Sequence, residues 1–202
     1  IYSIFLSKVS GQEEIIIGTS VSGRVHGDLE RVMGMFVNAL VLRNQIEGEK
    51  SYREILGEVK RKTLQAFENQ EYPFEELVEK VGGVRDMSRN PIFDVRFTYN
   101  NLELTERELP GLKARPGVLG DIYRTSKFDL TLSGREVEDR LEFSIEYCVK
   151  LFKESRIKQY GDYIKEIVSM VVKAPGIRVK DIKIAHDFKT IESKAHRIDL
   201  EF

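Results

Sequence analysis

Residues 15–18 impose the strongest limit on how this chain can fold. They are three consecutive isoleucines and a glycine, and no polar residue alternates with them. Such a run is typical of a strand that is covered on both faces and lies centrally in a sheet. Residues 36–42 have the same character apart from Asn38. Apolar residues then recur at helical spacing over 55–67 and 157–171, so the sequence predicts an α/β fold with a central sheet and helices.

Capping and helix-breaking residues predict where several helices begin and end. Ser51 and Glu54 have the spacing of a capping box, which predicts a helix that starts there. Pro73 interrupts this helix because proline has no N–H to donate, and a short helix over 74–81 is predicted to follow. The first residues of the chain predict the tail of a helix that ends at Gly11.

Alternating polar and apolar residues predict further strands. A strand with one solvent-facing side is predicted over 93–99, and segments 128–132 and 141–147 are predicted to form a hairpin. Residues 177–184 are predicted to form a last short strand. Residues 101–125 have no period, and irregular segments of this length are more often functional than idle, so this segment is a candidate lid or bridge.

Composition excludes several classes of function. The 33 acidic and 32 basic residues nearly cancel, which removes the broad electrostatic attraction that nucleic acids or anionic membranes require. No apolar stretch is long enough to predict a membrane span. Cys148 is the only cysteine, so no internal disulfide is possible and a cytoplasmic location is expected. His26, His186 and His196 are far apart in sequence, and no metal site is predicted.

The end of the first predicted strand carries a candidate binding site. Two glycines allow another molecule to approach the backbone closely, and hydroxyl side chains between them can form hydrogen bonds. These residues are Gly18, Thr19, Ser20, Ser22 and Gly23. The alternative is a tight turn followed by Arg24 at the surface.

Asn38 is the polar exception in the second apolar run. A buried asparagine must satisfy several donors and acceptors, so it either staples a neighbouring turn or faces a polar tunnel. The kink at Pro73 and the proline-set turn that follows it are interpreted as mainly architectural. Within that turn, Arg85, Asp86 and Arg89 are predicted to hold the loop in place.

These segments resemble, in order, the C-terminal half of the condensation domain of nonribosomal peptide synthetases. The motifs are residues 17–24, 34–43, 69–78 and 85–95, with weaker similarity at 126–130 and 146–152. Ser20 stands where the family usually has proline. The family carries its reactive histidine in a two-histidine motif of the N-terminal half, and nothing in this sequence matches that motif.

The resemblance implies a chloramphenicol acetyltransferase-like lobe with a central mixed β-sheet flanked by helices. It would span residues 1–185, and residues 186–202 would be a linker towards an adenylation domain. The chain starts inside a predicted helix and without methionine, so it is expected to be a piece of a longer protein.

The implied activity is formation of a peptide bond. Donor and acceptor carrier proteins deliver thioesters on phosphopantetheine arms into a tunnel between two lobes, and the acceptor amine attacks the donor carbonyl beside a histidine of the other lobe. This chain is therefore expected to hold no catalytic residue, to bind no cofactor directly and to be inactive alone.

The resemblance also assigns residues to two groups. The tunnel wall is expected to include Gly18, Thr19, Ser20, Ser22 and Asn38. Residues expected to fix the fold or the interface between lobes are Arg24, Arg43, Arg85, Asp86, Arg89, Lys127 and Asp129. Residues 101–127 are expected to cross to the other lobe.

Two other functions compete with this one. The chain could be a non-catalytic module that docks a carrier protein and the adenylation domain. It could also be a free-standing acyltransferase that uses His26, which would require activity from this chain by itself. A lone histidine after a turn is more often a solvated loop residue, so His26 is not assigned a catalytic role.

Overall fold

A computed structural model describes residues 1–81, 89–100, 108–109, 112–113, 125–138 and 140–184. The α-helices in this part are α1 (Tyr2–Ser10), α2 (Tyr52–Glu68), α3 (Phe74–Val81) and α4 (Glu154–Lys173). The strands are β1 (Glu14–Val21), β2 (Asn38–Gln45), β3 (Val95–Asn100), β4 (Glu108–Leu109), β5 (Leu112–Lys113), β6 (Leu130–Val137) and β7 (Arg140–Tyr147). No helix within these ranges is long and apolar enough to span a membrane.

The longer strands form one mixed sheet in the order β2-β1-β3-β6-β7, and β4 pairs with β5 in a separate two-stranded sheet. Strands β1 and β2 are antiparallel over their whole length, from Glu14 opposite Gln45 to Val21 opposite Asn38. Strand β3 runs parallel to both of its neighbours, β1 and β6. Strands β6 and β7 form an antiparallel hairpin. The predicted α/β class and the central mixed sheet are confirmed.

One face of the sheet packs against α1 and α4. Ile4 and Ile167 are completely buried between these helices and the sheet, and the ring of Phe5 contacts that of Tyr160 edge-on, with 5.1 Å between centroids. The sheet contributes alternate residues of its strands to this core. These residues are Ile15, Ile17, Leu130 and Leu132. Burial of this face supplies most of the apolar contact that stabilises the fold.

Helix α2 lies along β2 and begins as predicted. The Ser51 hydroxyl accepts a hydrogen bond from the Glu54 amide, and the Glu54 carboxylate accepts one from the Ser51 amide, so the capping box is present. Helix α1 ends, also as predicted, at Gly11, whose φ of 72° is a left-handed conformation that glycine adopts without strain.

Two strand predictions need correction. Strand β2 starts at Asn38 and lies at the edge of the sheet, so it is half-buried rather than fully covered. The strand predicted over 177–184 is instead a single 3-10 turn, Val179–Asp181. Its backbone bonds to the turn before α2 and to the start of that helix: the Val179 and Lys180 amides donate to the Lys50 and Gly48 carbonyl oxygens, both at 2.9 Å, and the Tyr52 amide donates to the Ile177 carbonyl oxygen at 2.8 Å. Among the described residues it pairs with no strand of the sheet and forms one isolated bridge, between Ser51 and Arg178.

Between β1 and β2 the chain forms one 3-10 turn, Gly27–Leu29. The irregular segment 101–125 lies almost entirely outside the described residues. Strands β4 and β5 and residue Thr125 are the parts of it that are described. Residues 186–202 also lie outside the described residues, so the predicted linker stays a prediction.

Candidate functional site

The face of the sheet opposite α1 and α4 carries polar side chains, and we call it the polar face. Side chains of successive strand residues point to opposite sides of a sheet. Because Ile17, Val95, Phe97 and Leu132 pack towards the helices, the residues that alternate with them point the other way. The polar face is formed by Ser20 of β1, Arg96 and Thr98 of β3, and Ser133 of β6.

Hydrogen bonds on the polar face connect three adjacent strands. Arg96 Nη2 donates to Ser20 Oγ at 3.1 Å, which joins β3 to β1. The hydroxyl oxygens of Thr98 and Ser133 are 2.9 Å apart, which joins β3 to β6. The Arg96 guanidinium also lies over the ring of Phe128, 5.6 Å from its centroid. On the polar face, hydroxyls therefore lie in an ordered arrangement on both sides of the Arg96 guanidinium.

Gly18 leaves room for an aromatic ring on the same side of β1 as Ser20. A Cβ atom at this position would lie 2.0 Å from the ring of Phe93, which is 6% exposed. The Phe93 ring also contacts those of Phe74 and Phe128, with centroids 5.7 and 5.4 Å away. We call Phe74, Phe93 and Phe128 the aromatic cluster. It brings three of the sequence motifs against the end of β1.

Asn38 staples the kink between α2 and α3. Its Nδ2 donates to the carbonyl oxygens of Gln70 and Tyr72 at 2.8 and 2.7 Å, and its Oδ1 accepts from the amides of Ala39 and Phe74. Every hydrogen-bonding position of the side-chain amide is occupied. Of the two roles considered from the sequence, this geometry is that of the staple, and a role of Asn38 in lining a tunnel stays a prediction.

Arg24 organises the segment between β1 and β2. Its Nη1 donates to the carbonyl oxygens of Leu29 and Val32, and its guanidinium lies 4.4 Å from the centroid of the Phe36 ring. Gly23 has a φ of 66°, and a Cβ there would collide with the Phe36 carbonyl oxygen. Together these contacts hold both ends of the segment in place.

The remaining residues of the predicted tunnel wall are not part of the polar face. Thr19 is half-buried and paired opposite Leu40, on the same side of β1 as Ile17. Ser22 follows the strand, and its hydroxyl accepts a weak hydrogen bond from the Arg24 amide at 3.4 Å. Of the predicted wall, the structure brings together Gly18 and Ser20, with Asn38 at the adjacent end of β2.

Arg43 is separated from the polar hydrogen-bond network. It forms an ion pair with Glu14 across the outer end of β1 and β2, with 2.6 Å between Nη2 and Oε2. The hydrogen bond from Arg43 lowers the pKa of Glu14. Arg85 and Asp86 lie outside the described residues. The interface roles predicted for these three residues stay predictions.

The starts of β3 and β6 are held together by backbone and charge contacts. The amide of Asp129 donates to the Asp94 carbonyl oxygen at 2.9 Å, and Asp94 pairs with Arg89. Burial, with a smaller contribution from Asp94, raises the pKa of Asp129. The Lys127 ammonium lies 5.8 Å from the centroid of the Phe128 ring. These contacts tie down the loops next to the aromatic cluster.

His26 is exposed at the start of the 3-10 turn, where its backbone oxygen accepts a hydrogen bond from the Leu29 amide. No hydrogen bond or ion pair of its side chain occurs among the described residues. The same part of the chain contains no group of three His, Cys, Asp or Glu side chains that could hold a metal ion.

Sequence reasoning missed Arg96, Thr98 and Ser133 as site residues. The alternation over 93–99 did place Arg96 and Thr98 on a solvent-facing side of a strand. The missing information was that β6 lies parallel to β3, with Thr98 opposite Ser133, because strand neighbours are set by tertiary structure.

Comparison with known families and proteins gives a consistent result. The model of the condensation domain family matches residues 1–192. Gramicidin S synthase 2 of Brevibacillus brevis is 43% identical over 201 residues, which is 100% of this chain and 4% of that protein. Bacitracin synthase 1 of Bacillus licheniformis is 42% identical over 202 residues, again 100% of this chain and 4% of the relative. The chain thus spans a small fraction of the length of these relatives.

Solved structures share the fold. A four-domain nonribosomal peptide synthetase bound to AMP and glycine superposes with a TM-score of 0.81 at 23% identity, over 93% of this chain and 15% of that chain. The first condensation domain of the calcium-dependent antibiotic synthetase, in complex with a substrate analogue, gives a TM-score of 0.70 at 14% identity. That match covers 92% of this chain and 40% of the other.

Proposed function

Because the chain belongs to the condensation domain family, we propose that it is the C-terminal lobe of a nonribosomal peptide synthetase condensation domain. The match to 92% of this chain but only 40% of a condensation domain chain supports the assignment to one lobe. The lobe would comprise residues 1–185, and residues 186–202 would lead towards an adenylation domain. The location proposed for the protein is the cytoplasm.

The polar face is the observation that carries the proposed role. A side of the sheet that carries hydroxyls and a guanidinium beside the aromatic cluster suits one wall of a polar tunnel. Ser20, Thr98 and Ser133 lie in neighbouring strands of that wall. Their hydroxyls fit a phosphopantetheine arm, because the amide groups of such an arm need hydrogen-bond partners.

The proposed reaction joins two acyl groups that carrier proteins deliver as thioesters on phosphopantetheine arms. The acceptor amine attacks the donor carbonyl carbon, a C–N bond forms and the C–S bond breaks. The histidine that positions or deprotonates the amine would come from the other lobe. This lobe would contribute by holding the reactants in register, which can lower a barrier substantially without any reactive side chain.

The segment held by Arg24 would support the same wall from its edge. It connects the end of β1 that carries Ser20 with the start of β2, so its position helps to fix where these two strand ends lie. Arg24 would thus fix lobe geometry, whereas Asn38 would act on the wall through the kink that it staples.

Complementation tests this proposal. This chain, the N-terminal lobe of the same enzyme, and a mixture of both would be assayed for amide formation between donor and acceptor thioesters on carrier proteins. We expect product only from the mixture. Product from this chain alone would refute the lobe assignment and favour a free-standing acyltransferase, for which the variant His26→Ala is the matched test. Stable association without product would favour a docking module.

One observation favours the docking function as a second candidate. Helix α2 exposes Leu56, Leu64 and Phe67, with exposed fractions of 50, 53 and 41%. An open groove of about 400 Å³ beside Leu64 is lined by the cations Lys60 and Arg61. Such a surface suits a protein partner, for which a carrier protein or the adenylation domain is the proposed occupant.

A further inference from the structure

Arg96 has an unused hydrogen-bond donor in a place where water cannot satisfy it. Its Nε is buried and has no hydrogen-bond partner among the described residues. Its Nη2 donates to a hydroxyl, that of Ser20 at 3.1 Å. Buried donors in proteins are nearly always paired, so an orphan of this kind indicates a missing partner.

A second arginine of the same sheet, Arg135, shows how the Nε and Nη2 donors of a guanidinium are normally paired. Arg135 of β6 donates from Nε and from Nη2 to one carboxylate oxygen of Glu142, at 2.9 and 2.6 Å. These two nitrogens form one edge of the guanidinium, whose geometry matches a carboxylate. In Arg96 the equivalent edge has only the Ser20 hydroxyl.

Charge around Arg96 also lacks compensation. No carboxylate in the described part of the chain pairs with Arg96 or with Lys127, and both cations lie against the ring of Phe128, at 5.6 and 5.8 Å. The nearby carboxylate of Asp94 pairs with Arg89 instead. Two cations on one aromatic ring create a local positive potential that favours an anion.

We propose that Arg96 binds a carboxylate on the polar face. Its Nε and Nη2 would donate to the carboxylate, and the exposed Ser20 hydroxyl would lie beside it. The carboxylate has two possible sources. It is either an acidic side chain of a substrate, which would make Arg96 a specificity residue and rests on the proposed function, or an acidic residue of the other lobe.

Nuclear magnetic resonance of this chain tests the binding directly. The Nε–H resonance of Arg96, assigned with the variant Arg96→Lys, would be followed during titration with N-acetyl-glutamate methylamide. The backbone amide resonance of Ser20 would be followed in the same titration, because it can also be observed in Arg96→Gln. The isosteric neutral control is N-acetyl-glutamine methylamide. We expect a saturable shift with the acidic probe only, and roughly tenfold weaker binding in Arg96→Gln.

The matched control variant is Arg135→Gln, which removes the same charge from the same face but whose arginine already has a carboxylate. It should bind the acidic probe as the unmodified chain does. Equal responses to both probes, no response, or equal losses in Arg96→Gln and Arg135→Gln would overturn the proposal. Tighter binding of inorganic phosphate than of the carboxylate would overturn it in favour of a phosphate site.

The same titration of the complete condensation domain distinguishes the two sources. If the carboxylate comes from a substrate, the response to the acidic probe persists, and Arg96→Gln slows amide formation with glutamyl more than with glutaminyl substrates. If it comes from the other lobe, the complete domain no longer responds and Arg96→Gln weakens lobe association. Amide formation by the complemented lobes without any probe binding would retain the proposed function and reject this inference.

Discussion

On the side of the sheet that packs against α1 and α4, Ile4 and Ile167 are completely buried, whereas on the opposite side Ser20 is exposed and Arg96 is half-buried. The two sides belong to the same strands, because successive residues of a strand point to opposite sides of the sheet. Apolar contact over the whole of the first side stabilises the chain. The second side combines the aromatic cluster with polar groups that add little stability. A sheet can in this way separate the residues that fold it from those that meet a ligand.

Removal of an aromatic ring from the core should have the largest effect on the stability of the chain. Phe5→Ala deletes a ring that is 1% exposed and contacts Tyr2 and Tyr160, so we expect the free energy of unfolding to fall by about 3–5 kcal/mol, measured by urea denaturation. The control Phe143→Ala removes a half-exposed ring from edge strand β7 and should cost less than about 1 kcal/mol. Phe143 lies on the same side of the sheet as Phe5, so equal costs would show that burial of the ring does not determine the loss.

A methyl group at Gly18 should have the next largest effect. The new Cβ of Gly18→Ala collides with the Phe93 ring, which should cost about 1–3 kcal/mol of unfolding free energy. Gly57→Ala is the matched control because nothing lies within 4 Å of its Cβ position in α2, and it should stabilise by about 0.5–1 kcal/mol. If Phe93→Leu did not recover part of the loss in Gly18→Ala, the steric explanation would fail.

The polar hydrogen bond between Thr98 and Ser133 should contribute less. Thr98→Val leaves the Ser133 hydroxyl without this partner and should cost about 1 kcal/mol. Adding Ser133→Ala should recover part of the loss, because both polar partners are then absent. The same variants should slow amide formation by the complemented lobes. A cost similar to that of Phe5→Ala would remove the distinction between the two sides.

Asp129 should have the smallest effect on stability, and the size of this effect depends on pH. Its pKa is raised, first by burial and then by Asp94, so the folded chain holds this proton more tightly than the unfolded chain does. Asp129 therefore costs stability once pH exceeds its folded pKa, and the cost disappears below the unfolded pKa of about 3.9.

We accordingly expect Asp129→Asn to stabilise the chain at neutral pH by less than about 1 kcal/mol, since the group is partly solvated. The two unfolding free energies should converge in acid, which a series of urea titrations across pH would show. A variant that is less stable at neutral pH would mean that the carboxylate makes a favourable contact.

Much of the fold could be predicted because its signals are local. The capping box at Ser51, the glycine stop at Gly11 and the helical stripe of α4 each depend on neighbouring residues, and all three are present in the structure. The segment 177–184 was mispredicted because its apolar residues also suit a strand. Val179 and Ile182 are indeed buried, but through a 3-10 turn against the core.

The site was less predictable because its residues meet through tertiary structure. The sequence placed Ser20 at the end of a strand but gave no sign that Arg96, far along the chain, would lie beside it. For Asn38 the sequence left two roles open, and the staple became evident only from its contacts with the kink after α2. Arg96 itself was assigned only to the solvent-facing side of a strand.

The strand order has a further consequence for how the chain reaches its native state. Hairpins β1–β2 and β6–β7 each join strands that are antiparallel neighbours, and β3 is the parallel strand that connects them. Its pairing with β1 rests on the single registered pair of Gly18 and Arg96. Parallel pairing between distant segments forms slowly. Insertion of β3 should therefore be the late, rate-limiting step of folding, and the same step assembles the polar face.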